Sequence, residues 1–269
     1  MDKKRVAIVI PLSTRPGFSD SEKLSLKHLE HFLGVYDKYF LAPEQLAVDY
    51  DNIPVERFQD KYFGSLDAHT RLSLSKEFYR RFSNYEYMLM YHLDCLVFDS
   101  NLDAWCDMEY DLIGPPWIKG PDLPWLKEEG VGNTGFSLRK ISSFLKLLNS
   151  NAYWIDPSDE NHFGKAASFS QSLRNELRKL YYRFKPGNNI QSHLEHHIVE
   201  KGGHDDIFIF KFAQKYYPDF SIAPVEVALQ FGFEANPRKC YELNGKKLPF
   251  GCHAWEKFDK EFWERYIID

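Results

Sequence analysis

Residues 88–98 read MLMYHLDCLVF, an apolar run with the composition of a strand buried on both faces, yet with an aspartate inside it. Removing a lone carboxylate from water costs several kcal/mol unless a cation or hydrogen-bond donors meet it, so Asp94 needs a structural partner or a chemical task. Strand and helix signals alternate around it. Val6 to Ile10 is an apolar, largely β-branched run ended by Pro11 and followed by the polar loop LSTRPGFSD (12–20). Leu24, Leu26, Leu29, Phe32 and Leu33 recur at mostly helical spacing and predict a helix over 20–35, with Ser19 or Asp20 as cap. Short strands follow at 39–42 and 53–58, then a helix over 66–82 that leads into the quoted run. This alternation predicts an α/β fold with a mostly parallel central sheet flanked by helices.

After Asp94 come a short helix, a strand around 111–113 and a proline- and tryptophan-rich loop. VGNTGFSLRKISSFLKLL (131–148) then sets a glycine-bearing turn before a helix with Ile141, Phe144, Leu145 and Leu148 on one face. Residues 150–201 are polar, aromatic and basic without strand candidates, and read as a helical insertion within a single domain spanning 1–269. From 202 onward the α/β character returns, with VALQFGFE (227–234) and PFGCHAW (249–255) as compact strand or loop elements.

The net charge of -5 over 269 residues argues against nucleic-acid binding through bulk positive charge. The four cysteines form no CxxC pair and no dense disulfide pattern, which fits buried thiols in a reducing compartment. MDKKRVAIVIPL starts basic and turns apolar, but the run is too short for a signal h-region, and nothing approaches the roughly 20 apolar residues of a membrane span. A cytoplasmic protein is expected.

Four short features place polar or glycine residues at the edges of apolar segments: HLD (92–94), GNTGF (132–136), HDD (204–206) and CHAW (252–255). Each has a plain reading: a capping aspartate, a turn, acids favoured at a helix N-terminus, a hydrogen-bonded core histidine. Their order along the chain resembles the nucleotide-sugar-dependent glycosyltransferases of the GT-A fold. That fold carries an Asp-x-Asp motif closing a strand, a glycine loop, an acidic pair before a helix and a C-terminal histidine. More narrowly, YEYMLMYHLDCLVF, EYDLIGPPW, VGNTGFSLRK and PFGCHAW resemble a bacterial family of glycosyltransferases formerly labelled only as a domain of unknown function. The resemblance covers nearly the whole chain outside 150–201. Two departures stand out: His92 replaces the first acid of Asp-x-Asp, and the acidic pair is Asp205-Asp206 rather than Glu-Asp.

The resemblance implies a GT-A-like, inverting glycosyltransferase. It would move a sugar from a nucleotide-sugar donor, a UDP-sugar foremost, to a glycan or lipid-linked acceptor in bacterial surface polysaccharide or lipopolysaccharide synthesis. A divalent ion, Mn²⁺ or Mg²⁺, would neutralise the departing diphosphate, with Asp94 and His253 as its protein ligands, or Asp94 would instead bind the donor ribose; because His92 leaves fewer anionic ligands, weak metal binding and none at all both stay open. Asp206 aligns with the general base, and Asp205 would orient the acceptor or the base. Asn133, Thr134 and Gly135, with Gly132, would lie against the donor or acceptor sugar, the glycines permitting close backbone approach. Pro11, Thr14 and Arg15 would meet the nucleotide base and ribose. Trp117 and Trp125 would stack on acceptor sugar or wedge their loop. A metal-dependent nucleotidyltransferase or phosphohydrolase, and a noncatalytic glycan-binding module, are the rival readings.

Two helices carry further signals. HLEHH (193–197) puts His193 and His197 at i and i+4, a zinc-compatible spacing, but without HExxH it reads as an exposed helix face. In 172–185, Leu173, Leu177, Leu180 and Phe184 form one side among Arg174, Arg178, Lys179, Arg183 and Lys185. Such a helix either lies on an anionic membrane or packs on a core with a solvated basic face.

Overall fold

The computed structural model describes residues 3–15, 17–47, 52–164 and 168–268; residues 165–167 of the expected insertion and Pro16 of the first loop lie outside them. In chain order the elements are β1 (Lys4–Pro11), α1 (Asp20–Leu33), β2 (Asp37–Pro43), β3 (Val55–Phe58), α2 (Leu66–Ser73), α3 (Lys76–Arg81) and β4 (Tyr85–Tyr91). They continue with β5 (Leu96–Val97), α4 (Leu102–Asp107), β6 (Leu112–Ile113), β7 (Pro116–Trp117), β8 (Gly130–Val131), β9 (Phe136–Lys140) and α5 (Ile141–Leu148). The last part holds α6 (Glu160–Phe163), α7 (Phe169–Phe184), α8 (Ile190–Lys201), α9 (Asp205–Tyr216), α10 (Val225–Phe231), β10 (Gly232–Phe233), α11 (Pro237–Leu243), β11 (Gly251–Cys252) and α12 (Lys260–Glu264).

The central sheet has the order β3-β2-β1-β4-β9-β6. β1 runs parallel to β2 and β4, and β2 parallel to β3, while β9 is antiparallel to both β4 and β6. Because successive strand residues face opposite sides, Ala7, Val9, Met88 and Met90 enter one core cluster with side chains of α2, α3, α5, α8 and α9. Ile8, Ile10, Leu89 and Tyr91 enter the other, beneath α1 and α4. The mostly parallel α/β sheet with covered faces is therefore as expected. Helix α1 begins with a capping box, Ser19 Oγ accepting from the Glu22 amide at 3.2 Å and Glu22 accepting from the Ser19 amide at 2.7 Å. All four cysteines are buried and free. No helix among the described residues is long and apolar enough to cross a membrane.

Five expectations need correction. The opening run is not one strand: β4 stops at Tyr91, the chain turns through Asp94, and it re-enters as β5 in a separate sheet of order β10-β11-β5. The helix over 66–82 is two, because Ser75 leaves helical geometry and caps α3 by accepting from the Phe78 amide at 3.1 Å. Residues 225–231 are helical, so only Gly232–Phe233 of the VALQFGFE segment is strand. His193 and His197 face inward rather than outward: His193 Nδ1 meets the Tyr216 hydroxyl at 2.8 Å and His197 Nε2 the His204 carbonyl at 3.0 Å. Finally, the apolar side of α7 packs on no core among the described residues. Leu173, Leu177 and Leu180 are exposed, and the helix rests on the protein through Asn175.

Leu89 lies at the centre of β4 with no exposed surface. Leu89→Ala is expected to cost about 2–5 kcal/mol in urea unfolding, the usual range for a core cavity. A loss below about 1 kcal/mol would mean that this position is not packed as described.

Candidate functional site

Strand order reverses between β1 and β4: from β1 the chain winds out through β2 and β3, then returns to the other side as β4. In open α/β sheets, the carboxyl ends of strands at such a reversal leave a crevice where ligands bind. Here β1 ends at Pro11 and β4 at Tyr91, so the polar loop after β1 and the HLD turn after β4 open onto the same edge. Pro11 and Thr14 line a cavity of about 310 Å³ there, opposite Tyr62, Phe63, Ser65 and His69. Arg15 stands beside it, ion-paired to Glu22 at 2.5 Å. A larger open groove, about 720 Å³, lies between α4 and α10 around Trp105 and Gln230 and holds none of the expected site residues.

The HLD turn is fixed by backbone bonds. The His92 amide donates to Gly135 O at 3.0 Å, and the Cys95 amide to His92 O at 3.0 Å. Asp94, half exposed at its side chain (51%), faces His253, whose Nε2 is 3.3 Å from Asp94 Oδ1. His253 follows β11, which pairs in parallel with β10 so that Phe233 aligns with Cys252. The next residue along each strand then comes together, and His253 Nδ1 meets Glu234 Oε1 at 2.9 Å. Gly135 makes room for this ring: a Cβ there would sit 2.3 Å from His253 Nε2. Neither Gly132 nor Gly135 has a positive φ, so close approach, not turn geometry, calls for glycine at Gly135.

His92 completes the cluster. One donor atom each from His92, Asp94 and His253 lies within 4.8 Å of the others. His92 Nε2 is buried and has no hydrogen-bond partner among the described residues. Its ring stands 5.6 Å from that of His253 and 4.9 Å from that of His69. Burial, helped by the two neighbouring histidines, pushes the His92 pKa down to about 3, so the ring is neutral. For His253 burial acts in the same direction but is outweighed by Asp94 and Glu234, which hold it up at about 10. Burial would raise Asp94, but the hydrogen bond and charge of His253 bring it down to about 2.

The acidic pair opens α9. Asp205 is buried, its Oδ2 in contact with Ser73 Oγ and 3.5 Å from Arg139, its Oδ1 accepting from Thr134 Oγ1 at 3.0 Å. Burial would raise its pKa, but the Arg139 guanidinium, with His69 and these hydrogen bonds, holds it below the usual carboxylate range. Both oxygens of Asp205 are thus engaged inside the protein. Asp206, partly buried, differs. Burial first, then the charge of Asp205, raise its pKa to about 7, with Glu234 adding to the effect, while the Ile207 amide donates to Oδ1 at 2.6 Å.

The remaining expected residues are less central. Asn133 turns back on its own loop, accepting from the Gly135 amide at 3.1 Å. The Trp117 ring fills the space where a Gly132 Cβ would lie, at 2.4 Å, and meets Phe210 edge-on at 5.3 Å. Trp125 is 72% exposed. Sequence reasoning missed Glu234, His69 and Arg139, although Arg139 sits inside VGNTGFSLRK. A charge within an apolar strand was the signal already recognised at Asp94.

The chain belongs to the family described as "Protein of unknown function (DUF5672)", which matches residues 52–253. No curated protein matches it. Among solved structures, the chain is similar to the "crystal structure of a glycosyltransferase involved in the glycosylation of the major capsid of PBCV-1", with a TM-score of 0.47 and 9% identity over 98% of each chain. It is also similar to the "Structure of the Bifunctional IspDF from Campylobacter jejuni", with a TM-score of 0.33 and 14% identity, over 55% of this chain and 44% of that one.

The raised pKa of Asp206 makes stability depend on pH. A carboxyl whose folded pKa lies above its unfolded value of 3.8 stabilises fully below about pH 4, and that contribution is lost as pH rises through about 7. Asp206→Asn should therefore unfold at higher urea than the parent. The advantage should grow from about pH 4 to about pH 7 and level off near roughly 2 kcal/mol, discounted for the solvent contact Asp206 keeps. A difference that does not vary with pH would contradict the assignment.

Proposed function

We propose that the protein is a metal-assisted, inverting glycosyltransferase of GT-A type, moving a sugar from a nucleoside diphosphate donor, a UDP-sugar foremost, to a glycan or lipid-linked acceptor of bacterial surface polysaccharide. The observation that carries this reading is the meeting, at one sheet edge, of the His92, Asp94 and His253 donor atoms within 4.8 Å beside a carboxyl whose pKa is near neutrality.

The residues fit a divalent ion. The Asp94 carboxylate together with diphosphate oxygens suits Mn²⁺ and admits Mg²⁺, the two imidazoles making Mg²⁺ the poorer fit, and His92 Nε2 is buried with no hydrogen-bond partner among the described residues. Asp94 and His253 would hold the ion with His92 as a third ligand; bound there, it supplies Lewis-acid neutralisation of the charge building on the departing diphosphate. Glu234 accepts from His253 Nδ1, which fixes the tautomer and turns Nε2 toward Asp94. The acceptor hydroxyl oxygen attacks the anomeric carbon as the bond from that carbon to the diphosphate oxygen breaks, and Asp206 takes the hydroxyl proton. Asp205, ionised against Arg139, keeps Asp206 basic enough for the task.

Pro11, Thr14 and Arg15 border the crevice that would receive the nucleoside, and Asn133, Thr134 and Gly135 form the loop beside the sugar. Trp125, exposed, offers a ring for acceptor stacking; Trp117 is engaged as a wedge. A nucleotidyltransferase or phosphohydrolase would use the same acids, and the product separates them: glycosyl transfer yields free nucleoside diphosphate and a lengthened acceptor.

Calorimetric titration with UDP, GDP, CMP and dTDP, with and without Mn²⁺, is the direct test. One nucleotide should bind in a metal-dependent way, and Asp94→Ala should abolish that binding. Absence of binding under every condition would remove the reading and favour a glycan-binding role. With the donor identified, Asp206→Asn should lower kcat by roughly 10²–10⁴ while leaving donor affinity within about twofold.

A further inference from the structure

Helix α7 presents an apolar stripe to solvent. Phe169, Leu173, Leu177, Leu180 and Phe184 recur at four-, four-, three- and four-residue steps along one face. With Tyr181 beside them, they are 51–85% exposed. The helix meets the rest of the protein on its opposite side, through buried Asn175, which donates to Gly164 O at 3.3 Å, and through half-buried Lys179 and Tyr182. Apolar side chains on a surface helix normally point inward; here they point out.

Charge identifies what would cover them. Residues 169–185 carry five basic side chains against a single acid, Glu176, a local +4 in a chain whose net charge is -5. Arg174 and Lys185 run along one flank of the stripe and Arg183 along the other, by helical phase, while Arg178 lies over the Phe163 ring at 5.5 Å. A second copy would bring the same stripe against itself in a two-fold contact and oppose these like charges. An anionic bilayer relieves the charge and takes the stripe into its acyl boundary, while long basic side chains reach the headgroups.

We propose that α7 docks the protein on an anionic membrane surface, lying in the interface plane with Leu173, Leu177 and Leu180 inserted. The proposal stands apart from the glycosyltransferase reading, since it depends on no residue of the crevice.

Flotation of the full chain with vesicles of phosphatidylcholine alone, or mixed with phosphatidylglycerol, tests it. The protein should float with the mixed vesicles and not with the neutral ones, and added salt should weaken the binding. Leu173→Gln/Leu177→Gln and, separately, Arg174→Glu/Arg183→Glu should each lower the bound fraction by roughly tenfold. Their melting temperatures should match the parent, because all four positions face solvent. Absence of binding by the parent, or binding by both variants at the level of the parent, overturns the proposal. So does a parent dimer in analytical ultracentrifugation that Leu173→Gln/Leu177→Gln dissolves, which would assign the stripe to self-association.

Discussion

The buried pair of Arg139 and Asp205 is the constraint around which the acidic half of the site is built. Both are withdrawn from solvent, and taking two charges out of water costs several kcal/mol per ion before attraction repays any of it. Such a pair persists only where hydrogen bonds satisfy the remaining donors and acceptors. Here Arg139 Nη1 reaches Ser73 Oγ at 2.7 Å and the Tyr79 hydroxyl at 3.0 Å, Nη2 reaches Thr134 O at 3.0 Å, and Nε reaches Ser137 Oγ at 3.0 Å. Four places in the chain are thereby tied together: the end of α2, helix α3, the glycine-bearing turn before β9, and the first turn of α9. The pair also sets the chemistry next to it. A carboxylate kept ionised at Asp205 is a fixed negative charge beside Asp206, and it contributes to the raised proton affinity there.

The two histidines of the candidate metal cluster show how environment divides one side chain into two species. His92 has histidine neighbours and an Nε2 with no hydrogen-bond partner among the described residues, and burial leaves it neutral. His253 lies between two carboxylates and holds its proton firmly. A cation seated at His253 Nε2 would have to displace that proton, so the affinity of the proposed site for a divalent ion would rise with pH. Glu234 serves both states: it pairs with the imidazolium, and it orients the neutral ring by accepting from Nδ1.

The alternation that defines the sheet was legible, because Ile8, Ile10, Leu89 and Met90 belong to strands buried on both faces and read as unbroken apolar runs. Asp94, Asp206 and His253 were also recognisable, as polar residues at the edges of such runs. Glu234 was not. Its meeting with His253 depends on the parallel register of β10 and β11, two-residue strands whose pairing leaves no local pattern. His69 was hidden for a related reason, since only the packing of α2 against the end of β4 places its ring against His92. The outward apolar face of α7 was ambiguous in principle. A helical stripe has the same spacing whether it meets a core or nothing at all, and only the packing of Asn175 decides which side is in.

The opening aspartate also acquires its physical reason. A strand buried on both faces cannot hold an unpaired carboxylate, and the chain avoids that cost by leaving the sheet before Asp94. β4 ends at Tyr91, the turn is pinned by Gly135 O and His92 O, and β5 carries the chain into a second sheet. That second sheet is where β11 presents His253 and β10 presents Glu234. The departure from the first sheet and the supply of partners for Asp94 are thus one event: the residue is half exposed because the chain turns, and it is paired because the turn leads into the strands that bring its histidine.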